Sequence, residues 1–138
     1  NNEIANLLPL QAVADLCNRY QAVFHSDTVQ TMGHYSFDLA KLDIQFINAS
    51  AHKFHGPKGV GFIYVNKKLK VNPDITGGGQ ERGMRGGTEN LYGIVGLAKA
   101  MEIAYCLDAG TWSSCERTRL PDFVCAGCGH YVLETIRT

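Results

Sequence analysis

Residues 44–65 read IQFINASAHKFHGPKGVGFIYV. Two runs, IQFINAS (44–50) and GVGFIYV (59–65), flank a turn of histidine, lysine, glycine and proline. Branched and aromatic side chains suit a pleated, half-buried surface, so both runs predict strands. The first strand ends by presenting Ser50, His52 and Lys53. In α/β sheets ligands sit beyond the carboxyl ends of the strands, so this turn is a candidate site as well as a connection.

Working outward, AVFHSD (22–27) predicts another short strand that ends on a polar group, Asp27. Before it, Val13, Leu16, Cys17 and Tyr20 recur at i, i+3, i+4 and i+7, and Pro9 suits a first helical turn. Phe37, Asp38 and Leu39 lie in the connection to IQFINAS. After GVGFIYV, residues 66–87 are heavy in glycine and charge, and loops of that length are functional or disordered. From Glu89 the helical period returns, with Ile94, Leu97, Ala98, Met101 and Tyr105 as one stripe. Strands alternating with helices predict an α/β architecture. Beyond Asp108 the period fades until the last eight residues, so 109–138 reads as a distinct tail.

The chain has 138 residues, about one domain. Thirteen basic residues balance thirteen acidic ones, so no net field recruits nucleic acid or an anionic membrane. No apolar run approaches the ~18 residues of a membrane span. Five cysteines without framework spacing read as reduced thiols of an intracellular, cytoplasmic protein. The chain starts at Asn1 and not at Met, which leaves an organellar address upstream open. Asn48-Ala49-Ser50 matches a glycosylation sequon, a tripeptide common by chance.

Ser50, His52 and Lys53 suggest one chemistry together. An amine partly desolvated beside another cation becomes nucleophilic enough to form a Schiff base with an aldehyde. A hydroxyl and an imidazole beside it are donors for a phosphate. A phosphate-bearing aldehyde describes pyridoxal phosphate (PLP), although a Ser-x-His-Lys string can equally be solvated surface. PLP enzymes need a carboxylate against the pyridine nitrogen. Asp27 can supply it, with Gln30 donating to the ring hydroxyl, or Asp27 can simply cap the following turn.

The segments NNEIANLLP (1–9), FHSDTVQTMGH (24–34), SAHKFHGPKGVGFIYV (50–65) and GGGQERGMRGGTENLYGIVGLAKA (77–100) resemble, in order and spacing, the cysteine desulfurases. These are the NifS/IscS-like branch of the class V aminotransferases, within the fold type I PLP enzymes. The resemblance implies that residues 1–108 are the central part of an aspartate-aminotransferase-like large domain: a mixed, mostly parallel sheet flanked by helices. It implies that Lys53 is the Schiff-base lysine and later moves the substrate's α-proton. By the same resemblance Asp27 faces the pyridinium and Gln30 the ring oxygen, while Ser50 and His52 bind phosphate. Asn2 contacts cofactor and substrate, and Thr88 reaches the phosphate in the other subunit of a homodimer.

The implied activity converts L-cysteine to L-alanine plus enzyme-bound persulfide sulfur, destined for iron–sulfur clusters or thiolated cofactors through a sulfur-acceptor or scaffold protein. A selenocysteine lyase or aminotransferase of the same family, and a fragment without catalysis, are the alternatives. The family's histidine that stacks on the ring, its persulfide cysteine and its carboxylate-binding arginine match nothing in this chain. RGGT (85–88) stands where RSGT or RAGT is typical.

Other residues carry two readings each. His55, Gly56, Pro57 and Lys58 fix the turn around the lysine. Gly77, Gly78 and Gly79 either cradle an anion or loosen the loop. Arg82 and Arg85 pair with an anion, or belong to an interface or to solvent. His25 and His34 read as packing or surface histidines. Cys115, Cys125, Cys128 and His130 lack a second ligand pair at zinc-finger spacing, so no metal is expected.

Overall fold

The computed structural model describes residues 3–36, 38, 39, 41–108 and 129–134. Helix α1 (Leu10–Arg19) leads into strand β1 (His25–Asp27), followed by β2 (Phe46–Ser50) and β3 (Gly61–Asn66). Short 3-10 turns lie at Ala51–Phe54 and Gln80–Gly83, and helix α2 (Leu91–Asp108) and strand β4 (Gly129–Glu134) complete the described elements. The strands form one mixed sheet in the order β1-β2-β3-β4. Strands β1 and β2 run parallel, with Asp27 opposite Asn48. Strand β3 runs antiparallel to β2, with Ser50 opposite Gly61, and β4 runs antiparallel to β3. Among the described strands the parallel pairing is therefore confined to β1 and β2. The reason lies in the ten residues 51–60, a turn too compact for the helical crossover that a parallel β2–β3 pair requires.

Side chains alternate across the sheet. Ile47 and Ala49 of β2 and Phe62 and Tyr64 of β3 share one face, and all four are buried. Both helices join that core, α1 through Ala14 and α2 through Leu97 and Met101. The opposite face carries His25, Asp27, Asn48, Ser50 and Ile63.

The inward stripe of α1 differs from the one its sequence suggests. Leu10, Val13, Ala14 and Cys17 face the core, whereas Leu16 and Tyr20 are exposed. Small Ala14, 1% exposed, lets the helix sit close to the sheet. The stripe of α2 matches expectation at four of its five positions: Leu97 and Met101 are buried, and Ile94 and Tyr105 pack against the core, where Ala100 joins them in place of Ala98. Tyr105 donates its hydroxyl hydrogen to Met32 Sδ at 3.2 Å, tying α2 to the turn after β1.

Candidate functional site

Because β1 and β2 are parallel, their carboxyl ends lie at the same edge of the sheet. Asp27 ends β1 and Ser50 ends β2. Immediately after Ser50 the chain makes a 3-10 turn, Ala51–Phe54, which carries His52 and Lys53. Ala51 and Phe54 are buried and anchor this turn in the core, leaving His52 exposed and Lys53 half-buried.

The turn is closed by backbone chemistry. His55 takes a left-handed conformation, φ 66°, and the Gly56 N–H donates to the Ala51 carbonyl at 2.8 Å. A Cβ at Gly56 would stand 2.8 Å from Ala51 Cβ and 2.9 Å from its carbonyl oxygen, so only glycine fits. Pro57 rests on α2 at Gly96, where a Cβ would come within 3.0 Å of the proline ring. His34 Nε2 lies 3.2 Å from the Lys53 carbonyl oxygen, and the Ala51 N–H donates to the Val60 carbonyl. The backbone that bears Lys53 is thus held from the β1 side, from β3 and from α2.

A cavity of about 290 Å³ opens on the face opposite the core, lined by His25, Asp27, Asn48, Ala49, Ser50, Gly61, Phe62 and Ile63. Gly61 brings no side chain to its wall. A Cβ there would stand 2.4 Å from the Ala49 carbonyl oxygen.

Asp27 is exposed at the mouth but its carboxylate is oriented. Oδ1 accepts from the Val29 N–H at 2.9 Å and from Asn48 Nδ2 at 3.2 Å. Oδ2 has no partner among the described residues. Thr28, buried beside it, donates both its N–H and its hydroxyl to the Asn48 carbonyl, at 3.1 and 2.7 Å. Asp27 therefore does what a turn cap does, through Val29, and still presents a free oxygen at the mouth.

Of the residues singled out from sequence, the structure gathers Asp27 and Ser50 on one cavity, with Lys53 on the turn that follows. His52 and Lys53 do not line that cavity. Gln30, in the turn after β1, and Thr88, just before α2, are exposed and do not line it. Asn2 lies outside the described residues, as do Cys115, Cys125 and Cys128. Arg85 turns back on its own loop, donating to the Gly86 carbonyl at 3.0 Å, and Arg82 is exposed. Gly77 packs on Gly86, where a Cβ would come within 2.9 Å, so that glycine serves a close backbone approach.

Asn48, which the sequence marks only through the sequon, is a polar residue of the cavity and bridges His25 and Asp27. The period-2 spacing of Asn48 and Ser50 was the available signal, since it places the two on the same face of β2.

Residues 1–117 match the family described as aminotransferase class-V. A cysteine desulfurase IscS of Clostridium botulinum is 48% identical over 104 residues, 75% of this chain and 26% of that protein. The chain thus spans about a quarter of the length of the curated relatives it matches. Among solved structures, a NifS-like protein superposes with a TM-score of 0.72 at 44% identity, over 84% of this chain and 30% of the other. A structure described as SspA in complex with cysteine gives a TM-score of 0.69 at 36% identity, over 74% and 30% respectively.

Proposed function

This chain belongs to the class V aminotransferase family, and on that premise we propose that it is the central part of the PLP-binding large domain of a cysteine desulfurase. In this reading residues 1–108 form that part of the domain. The observation that carries the proposal is the meeting of Asp27 and Ser50 on one cavity, directly before the 3-10 turn that bears Lys53. The desulfurase relatives favour L-cysteine as the substrate.

The residues present fit the cofactor. A carboxylate with one oxygen held and the other free suits a pyridinium N–H. The bare wall at Gly61, beside the Ser50 hydroxyl, leaves room for a flat ring and its phosphate. When bound, PLP supplies an electrophilic aldehyde and a ring that accepts electrons from the substrate's α-carbon.

The chain's own side chains have separate tasks. Asp27 keeps the ring nitrogen protonated, Gln30 donates to the ring oxygen, and Ser50 and His52 hold the phosphate. Lys53 Nζ would be the amine that holds the aldehyde carbon, and the base placed for the proton at the substrate α-carbon. Asn2 adds a contact to cofactor and substrate. Thr88 serves the phosphate of a second copy, so the working unit is a homodimer, which passes its sulfur to an acceptor or scaffold protein.

A second reading is favoured by length: at about a quarter of its relatives, the 138-residue chain alone lacks catalysis. Titration of the purified chain with PLP, followed by its yellow absorbance, tests the proposal. A saturable band that Lys53→Ala removes supports the site, and no band in the wild type sinks it. Little or no sulfide is expected from L-cysteine under the same conditions.

A further inference from the structure

On the same sheet face, three side chains form a hydrogen-bonded chain that ends on the carboxylate. His25 Nε2 lies 2.8 Å from Asn48 Oδ1, and Asn48 Nδ2 lies 3.2 Å from Asp27 Oδ1. The parallel register sets this up, since His25 pairs with Phe46 and Asp27 with Asn48, placing all three on neighbouring positions. His25 is further steadied edge-on against the Phe46 ring, with centroids 6.5 Å apart.

The direction of every bond in the chain follows from its end. An ionised carboxylate only accepts, so Asn48 must turn its NH₂ toward Asp27. Its carbonyl oxygen then faces His25 and needs a donor, so His25 carries its proton on Nε2.

We propose that His25 and Asn48 are positioning residues for Asp27: they fix the carboxylate rotamer so that Oδ2 is presented to the cofactor's ring nitrogen. The proposal rests on the cofactor reading above for its purpose, although the chain of bonds itself does not. The Val29 N–H alone would leave the carboxylate free to pivot about one contact. The second contact, from Asn48, fixes its plane, and His25 in turn fixes the Asn48 amide. Only the third member, Asp27, touches the cofactor.

Two measurements test it, of which the first needs no PLP. In the ¹⁵N-labelled chain at about pH 8, where an ordinary imidazole is neutral, long-range proton–nitrogen correlation spectra read the His25 tautomer. The Nε2–H form is expected, and its resonance should move in both Asn48→Leu and Asp27→Ala. An Nδ1–H tautomer, or a resonance indifferent to Asp27→Ala, overturns the proposal.

The second is a cycle of PLP affinities. Asn48→Leu is expected to weaken binding about tenfold, the worth of one hydrogen bond to a charged group. In an Asp27→Asn background the same change should cost nothing further, because its effect passes through Asp27. His25→Phe, at an exposed position, should give the same pattern with a loss of about threefold. Equal losses in both backgrounds overturn the proposal. If the wild type binds no PLP the cofactor reading fails, and the His25 spectra still decide whether the chain of bonds exists.

Discussion

Replacing Gly33 by alanine tests how tightly the turn after β1 is seated on the turn that bears Lys53. Gly33 has φ +79°, and a Cβ there would stand 2.5 Å from Phe54 Cβ, 3.1 Å from its Cγ and 3.4 Å from Ala104 Cβ. Carbon atoms in favourable contact are about 3.5–4.0 Å apart, so the first two distances are overlaps. The left-handed backbone costs an alanine about 1–2 kcal/mol. Forcing a methyl group into a packed site adds about 1–3 kcal/mol. Alanine also restricts the unfolded chain, which offsets about 0.4–1 kcal/mol. The net destabilisation is therefore about 1–5 kcal/mol, centred near 3, a large fraction of the ~5–15 kcal/mol of an ordinary domain.

The assay is urea unfolding followed by circular dichroism. With a net of about 3 kcal/mol and a slope of about 2 kcal/mol per molar, the midpoint should fall by about 1.5 M while the slope is unchanged. Gly79→Ala is the control: φ there is −82° and nothing lies within 4 Å of the added Cβ. That variant should be neutral or more stable by up to about 1 kcal/mol. A Gly33→Ala stability within ~0.5 kcal/mol of the wild type, or equal damage from Gly79→Ala, would refute this packing.

Other expectations follow from the core and its polar groups. Burial, with the Asp43 carboxylate adding to it, holds the Tyr64 phenol above its ordinary pKa, with Lys68 opposing. The folded chain then keeps a proton that the unfolded chain loses, so this contribution is complete below about pH 10 and is lost as pH rises beyond it. Tyr64→Phe should flatten that alkaline decline in unfolding curves taken from pH 8 to 11, and a decline of unchanged steepness would remove Tyr64 from it. Asn66 is buried, donates to the Ile44 carbonyl at 3.1 Å and accepts from the Lys68 N–H at 3.0 Å. Asn66→Ala should cost about 1–3 kcal/mol, and Asn66→Asp more, because a carboxylate would face the Ile44 carbonyl; calorimetry of the two variants checks the order. Gly56→Ala should also destabilise the chain by about 1–3 kcal/mol, since Ala51 occupies the space of the new methyl group.

The strands were legible because IQFINAS and GVGFIYV are runs that little else than a sheet accommodates, and the polar ends of AVFHSD and IQFINAS marked Asp27, Ser50 and Lys53 as strand-end groups. The facing of α1 was not. Its sequence holds two overlapping stripes that share Val13 and Cys17, and only the surface it packs on selects Ala14 over Leu16 and Tyr20. Asn48 escaped notice because its partners, His25 and Asp27, lie 23 and 21 residues away and meet it only through the parallel register. His25 reads as a packing or surface histidine for the same reason. Strand β4 was hidden as well: residues 129–134 show no alternation strong enough to declare a strand, and backbone pairing with β3 is what makes them one.

The most direct test of the central claim is to fix PLP to the chain with borohydride and locate it by peptide mass spectrometry. Lys53 is expected to be the single modified lysine, with modification sharply reduced in Asp27→Ala and Ser50→Ala. Modification spread over Lys58, Lys67, Lys68 and Lys70, or labelling of Lys53 that ignores Asp27 and Ser50, would contradict it.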